Sequence, residues 1–325
     1  MRTLTDNVFA EKYRPKTFAE IVGQEHIVQT IRGFVENKKI PHMLFSGKPG
    51  TGKTTTAKVL VKELYGPNWK EYFLEVNASD DRGIDVVREK IKGYARTKKL
   101  ENKFKVILLD EADSMTKEAQ QALRRIIEMY AKKCRFIISC NYPNKIINPI
   151  KDRCVIFRFR GINPKHMESM LTDIAAKEQL DITTSAISTL ALLSQGSMRT
   201  ALNTLDRLKS AGDTSIDDDK IFSIMPHIND DDIRELLVLI RKGDYVGVDR
   251  CIDDLLNIKV YATEEILESL WRLISGSTVL SKTSKLDALA RLGGLEAKVS
   301  AGASPIFQLR AFCIRLILLY TESEK

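Results

Sequence analysis

Gly47 to Thr54 reads GKPGTGKT, and its neighbours decide the fold. The run HMLFSG before it is short and apolar, as a buried strand is, and a helix is predicted to begin near Lys53. A strand, a glycine-rich loop of the form G-x-x-x-x-G-K-[ST] and a helix together make a phosphate site. Glycines let backbone N–H groups close around phosphate oxygens, and the helix N-terminus adds the positive end of its dipole. In that reading Lys53 reaches the β- and γ-phosphates and Thr54 places its hydroxyl on Mg²⁺. Gly47, Pro49, Gly50, Thr51, Gly52 and Thr55 complete the candidate nucleotide cradle.

Working outward, more apolar runs alternate with helical patterns. YFLEVNA is followed by a helix near Ile84, and KVILLD by a helix from Lys117 to Ala131. RFIISCN and CVIFRF close the series, with Val155, Phe157 and Phe159 on one face of the last strand. Strands this continuously apolar indicate a parallel sheet covered on both faces. After Gly161 the strands stop. NPKHMESMLTDIAAKEQ opens with Asn-Pro, a good helix start, and TSAISTLALLSQ and MRTALNTLDRLK are further helices. Gly212 to Asp219 reads as a polar linker. Beyond it Ile233, Leu236, Leu237 and Ile240 recur at helical spacing, as do Leu267, Leu270, Trp271 and Ile274.

The chain has 325 residues, enough for two or three domains. Its 43% hydrophobic and 29% charged content is that of a soluble globular protein. No apolar run approaches the roughly 20 residues that cross a bilayer, so no membrane partner is expected. MRTLTDNVFAEKYRP lacks the apolar core of a secretory signal, which predicts an intracellular protein. The five cysteines contain no CxxC pair, which argues against a zinc site and a disulfide framework. The net charge is +8 and the pI about 9.1, compatible with nucleic acid, acidic surfaces or solubility alone. Basic residues crowd Arg88 to Lys105, whereas the acidic runs Asp217–Asp219 and Asp230–Asp232 fall much later.

The second half of the phosphate machinery is VILLDEAD, Val106 to Asp113. Its apolar strand ends in carboxylates, where a doubly wound sheet places ligands. Asp110 would complete the Mg²⁺ shell, and Glu111 would orient and polarise the attacking water. Two carboxylates at a strand end can also be a solvated turn; the paired loop favours catalysis. Asn141 ends RFIISCN at the same edge, where its amide could meet a phosphate or water, or cap a turn.

Together these residues resemble the AAA+ ATPases and, more narrowly, the small subunit of replication factor C, the archaeal and eukaryotic sliding-clamp loader. EKYRP (Glu11–Pro15) is similar to that family's N-terminal box, whose aromatic and backbone line the adenine pocket, which assigns Tyr13, Arg14 and Pro15. NASDDRGID, DEAD and SCNYPNKII carry the match onward, and GSMR (Gly196–Arg199) stands where the family has its sensor 2 arginine. These matches cover about the first 200 residues; the C-terminal helices agree in length and pattern only.

The resemblance implies an α/β P-loop AAA+ nucleotide domain at 1–162, a helical lid at 163–227 and an all-α collar at 228–325. It implies a pentamer with a large subunit, binding of ATP with Mg²⁺, and loading of a ring-shaped clamp onto primer–template DNA, followed by hydrolysis and release. Lys53, Asp110, Glu111 and Asn141 would be catalytic, with Arg199 reaching the γ-phosphate from the lid. Arg199 would otherwise read as a solvated residue near a helix start. Arg153 would be an arginine finger, delivered in trans to the ATP of a neighbouring subunit. The expected compartment is the cytoplasm for an archaeal chain and the nucleus for a eukaryotic one.

Three positions depart from the family pattern. Asp152 replaces serine in its Ser-Arg-Cys motif and could pair with Arg153 or point away. Ser197 stands for a usual aspartate, and both cap helices well. Phe9 stands where tryptophan is frequent.

Arg88, Lys92 and Arg96 are spaced to share a helix face, commonly just a solvated one. The resemblance assigns Arg82, Arg88 and Lys92 to DNA phosphates, contacts that position a duplex without reading it. A polypeptide unfoldase would carry an aromatic–hydrophobic–glycine pore loop after the second strand, and NASDDRGIDVVREKIKGYAR has none. The closer rival, a branch-migration-type AAA+ DNA motor, should have strands in a winged-helix C-terminus. A non-hydrolysing scaffold would not need Lys53, Asp110 and Glu111 intact.

Overall fold

The computed structural model describes residues 8–79, 84–96, 104–212, 215–225, 228–259 and 261–323. Its sheet consists of β1 (Met43–Ser46), β2 (Phe73–Asn77), β3 (Lys105–Asp110), β4 (Cys134–Cys140) and β5 (Val155–Arg158), in the order β2-β3-β4-β1-β5. Every neighbouring pair is parallel. The interior strand β3 shows why the apolar runs are continuous. Val106 and Leu108 face a core shared with α2 (Glu25–Glu36) and α3 (Lys53–Tyr65). Ile107 and Leu109 face the opposite core, with α4 (Ile84–Arg96) and α5 (Lys117–Tyr130). All four are fully buried, each stabilising the fold by about 1.5–3 kcal/mol, so a polar residue has no place at these four positions.

Strand β5 is an edge. Phe157 and Phe159 pack on Phe45, with ring centroids 5.7 and 5.1 Å away. Val155 and Ile156, by contrast, are exposed. Val155 therefore does not share the burial of Phe157 and Phe159, because β5 pairs only with β1 and starts at the sheet margin.

The short helix α6 (Asn148–Lys151) packs on α5, and α7 (Pro164–Lys177), α8 (Thr184–Leu193), α9 (Met198–Ser210) and α10 (Asp218–Ile224) follow the sheet, with α1 (Phe9–Lys12) packed on α9. Asn163 caps α7 by accepting from the Lys165 N–H, with Pro164 at the first turn. Within the stretch expected to be a polar linker, residues 215–219 are tied down instead. Ile216 is fully buried, donates its N–H to the Asp181 carbonyl at 2.7 Å and accepts from the Thr183 N–H at 3.0 Å. One buried isoleucine among polar residues anchors a segment whose composition alone reads as linker.

The chain divides into two compact units, Met1–Ile221 and Phe222–Lys325. In the second, α11 (Asp230–Arg241), α12 (Tyr245–Asp253), α13 (Thr263–Gly276), α14 (Lys282–Ser300) and α15 (Pro305–Ser323) enclose their own core. Ile233, Leu236, Ile240, Leu267, Leu270 and Ile274 lie in that core, whereas Leu237 is partly buried and Trp271 is exposed at its edge. Among the described residues no helix is long and apolar enough to cross a membrane.

Candidate functional site

The C-terminal ends of the strands carry the candidate residues. The loop after β1 turns through Gly50 and Gly52 at φ +75° and +98°, a region that suits glycine. A side chain at Gly50 would also strike Ser197, since a Cβ there would lie 2.1 Å from its Oγ. Ser197 caps α9 by accepting from the Thr200 N–H, so the cap and the phosphate loop are in contact.

Lys53 opens α3 and is buried. Its ammonium donates to the Gly47 and Lys48 carbonyls at 2.6 and 2.9 Å and to Asn141 Oδ1 at 2.9 Å. Burial lowers its pKa, and the carboxylates of Asp110 and Asp113 oppose that shift. Thr54 donates its hydroxyl proton to Asp110. Asp110 also accepts from the Glu111 N–H at 3.0 Å.

Glu111 sits in the left-handed region, φ 54° and ψ 37°, a strained conformation for a side-chain-bearing residue. Its carbonyl is held by the Ser114 N–H and hydroxyl at 2.9 and 2.7 Å. The backbone therefore kinks just where the β3 carboxylates leave the sheet. Asp113 was not singled out from the sequence, yet it organises the next strand end. Its Oδ2 accepts from the N–H groups of Asn141 and Tyr142 at 3.2 and 3.0 Å, so the Asn141 amide is aimed at Lys53.

The phosphate loop and the strand ends line one cavity of about 400 Å³, within the range of small-molecule sites. Pro49 to Thr55, Asp110, Glu111 and Asn141 supply its polar wall. Tyr13, Arg14 and Pro15 come from the N-terminal segment, and Met198, Arg199 and Leu202 from α9. Arg14 donates to the Thr55 hydroxyl at 3.1 Å. Gln24, another residue the sequence did not flag, is buried and donates to the Arg160 carbonyl at 2.7 Å and the Thr51 carbonyl at 3.5 Å. Gly47 is no part of the cavity wall but holds Lys53 through its carbonyl.

Among the described residues no group of three His, Cys, Asp or Glu could hold a metal ion. The Thr54 hydroxyl and Asp110 carboxylate are hard oxygen donors, and they fit Mg²⁺, which usually takes one or two protein ligands plus phosphate and water.

Arg153 does not line this cavity. Its guanidinium donates to the Pro149 carbonyl at 2.7 Å and pairs with Glu128 of α5 at 2.5 Å. Its side-chain partner is thus Glu128 rather than the adjacent Asp152. Arg82 lies outside the described residues, as does the side chain of Arg88, while Lys92 is half-buried on α4.

The model of the ATPase family associated with various cellular activities (AAA) matches residues 43–161, and that of the replication factor C C-terminal domain matches residues 228–315. Among solved structures, the Thermotoga maritima RuvB Holliday junction branch migration motor is similar in fold, with a TM-score of 0.56 at 18% identity over 79% of this chain and 91% of that one. Curated relatives named Replication factor C small subunit are similar over nearly their full length. The one from Archaeoglobus fulgidus is 42% identical, covering 96% of this chain and 98% of the relative. That from Sulfolobus acidocaldarius is 40% identical, covering 96% of each. With the sheet, the loop and the strand-end carboxylates in place, this similarity over both units shows that the chain belongs to the replication factor C small subunit family of AAA ATPases.

Proposed function

We propose that the chain is an ATP-hydrolysing subunit of a replication clamp loader, which uses ATP binding to open a ring-shaped clamp and load it on primer–template DNA. The observation that carries this is convergence: Lys53, Thr54, Asp110, Glu111 and Asn141 meet at one sheet edge, in a cavity that Tyr13 and Arg199 close from two other directions. In this reading 1–162 is the nucleotide domain, 163–227 the lid and 228–325 the collar that joins subunits into a pentamer with a large subunit.

The adenine lies against Tyr13 and its neighbours, and the phosphates on the loop from Gly47 to Thr55. Lys53 exchanges its carbonyl partners for phosphate oxygens. Thr54 and Asp110 hold Mg²⁺, which when bound neutralises charge on the β- and γ-phosphates. Glu111 orients the attacking water, Asn141 fixes its position, and Arg199 and a neighbour's Arg153 stabilise the negative charge of the transferring group. Hydrolysis at each site then depends on how two chains sit together. The α4 positions Arg88 and Lys92, with Arg82 just before them, contact DNA phosphates. Such contacts position the duplex by shape. The regular elements described for Phe222–Lys325 are all helical, which favours a loader over a branch-migration motor whose C-terminus should contain strands.

The test is ATPase of the complex assembled with its large subunit. Stimulation by both primer–template DNA and the ring clamp is expected, and absence of both effects overturns the assignment. Glu111→Gln should keep ATP binding while losing most hydrolysis. Arg88→Ala should weaken DNA binding and make the salt slope shallower by about one unit.

A further inference from the structure

Among the described residues Glu178, at the end of α7, is the one buried carboxylate, with its side chain only 4% exposed. An isolated charge there would be strongly destabilising, but three donors converge on it. Lys12 and the Tyr13 hydroxyl both donate to Oε1, and Lys209 donates to Oε2 at 2.6 Å. Burial pushes the carboxyl pKa up, and the hydrogen bonds from Lys12, Lys209 and Tyr13 more than offset this, holding it at about 2. Both ammoniums also lie near the buried Phe9 ring, at 6.0 and 5.6 Å from its centre, and Phe9 packs edge-on against Tyr13 at 5.8 Å.

The donors come from the two elements that form separate walls of the cavity, and of the three Tyr13 itself lines it. Lys12 and Tyr13 belong to the N-terminal segment, which continues into Arg14 and Pro15 of the lining. Lys209 lies on α9, the helix that carries Met198, Arg199 and Leu202 into the same cavity. Tyr13 uses its single hydroxyl proton on Glu178, which fixes the rotation of a ring that lines the site. Burial and the hydrogen bond to Glu178 raise the Tyr13 pKa to about 12, so it stays a donor at neutral pH.

We propose that Glu178 is a positioning residue of the nucleotide site, latching the wall that carries Tyr13 to the helices that carry Arg199. The inference rests on the ATP reading of this cavity. Removing the latch frees the wall that carries Tyr13, against which the adenine common to ATP and ADP lies in that reading, so it lowers affinity for both alike.

The test titrates ATP and ADP at equilibrium against the full chain with Mg²⁺ and measures steady-state ATPase of the complex assembled with its large subunit. Glu178→Gln should weaken both nucleotides by about tenfold, the order expected for losing a charge-assisted hydrogen bond, and raise KM with little change in kcat. Tyr13→Phe should weaken both by about threefold. The double variant should lose no more than Glu178→Gln alone, because the hydroxyl acts only through the carboxylate. Unchanged affinity in Glu178→Gln overturns the proposal even if thermal stability falls, and so does additive loss in the double variant. If Glu178→Gln does not fold, unchanged affinity in Tyr13→Phe overturns it. A parent chain that binds neither nucleotide, or a Lys53→Ala variant that binds like the parent, overturns the ATP reading itself and the latch with it.

Discussion

Glu128 of α5 holds Arg153, its Oε1 2.5 Å from the guanidinium, which also donates to the Pro149 carbonyl. The side chains are 38% and 40% exposed, so the pair is weak and reversible rather than a buried lock. In the proposed reading Arg153 leaves Glu128 to reach the neighbouring chain. Arg153→Ala is expected to lower hydrolysis at the neighbouring site by roughly 10³-fold and to spare ATP binding in its own chain. Glu128→Gln is expected to raise DNA-independent ATPase of the complex by at most about fivefold, the limit set by an exposed ion pair. Subunit-specific binding and single-turnover hydrolysis would check both; loss of ATP affinity only in the mutated chain would sink the trans assignment.

Asp113→Ala removes the acceptor that gathers the Asn141 and Tyr142 N–H groups. The Asn141 amide then loses its aim, and kcat is expected to fall about tenfold or more while ATP affinity changes little. A titration of ATP beside a kcat measurement separates the two. An equal loss in both would mean that Asp113 supports the loop as a whole.

Gln120 is buried on α5 and serves the chain that leads to Arg153. Its amide donates to the Met115 and Lys145 carbonyls at 3.3 and 3.0 Å and accepts from the Ile147 N–H at 2.9 Å. Gln120→Leu takes away the shared partner of three partly buried backbone groups, and should destabilise the first unit by about 1–2 kcal/mol. Urea unfolding followed by tryptophan fluorescence in a Trp271→Phe background would measure this, since Trp69 then reports on that unit alone.

Glu178 predicts a pH dependence. Its folded pKa, about 2, lies below the ordinary carboxyl value, so its stabilising charge is fully present above about pH 5 and is lost as pH falls through 2. The Glu178→Gln variant lacks that charge at every pH. Its thermal midpoint should therefore lie below the parent's at pH 7, and the gap should narrow steadily from pH 5 towards pH 3. A constant gap would show that the residue acts through shape alone.

Much of the architecture was legible because it is local. The helix start at Lys53, the apolar β3 run and the carboxylates at its end are properties of adjacent residues, and so was the Ser197 cap. Legibility failed where burial depends on neighbours in space. Val155 and Trp271 obey the right period yet sit at an edge, and Ile216 is buried inside a polar stretch.

By itself the sequence determined the parallel strands, the phosphate loop, the order of the candidate residues and the family to which they point, since backbone conformation and periodicity are encoded within a few residues. Only the tertiary structure decided the partners of the charges. Arg153 passes over its neighbour Asp152 for Glu128, and Glu178 gathers Lys12 and Tyr13 from 166 and 165 residues away. A charge pairs with whichever opposite group the packing brings near. That depends on how helices seat on the sheet, which no short stretch of sequence contains.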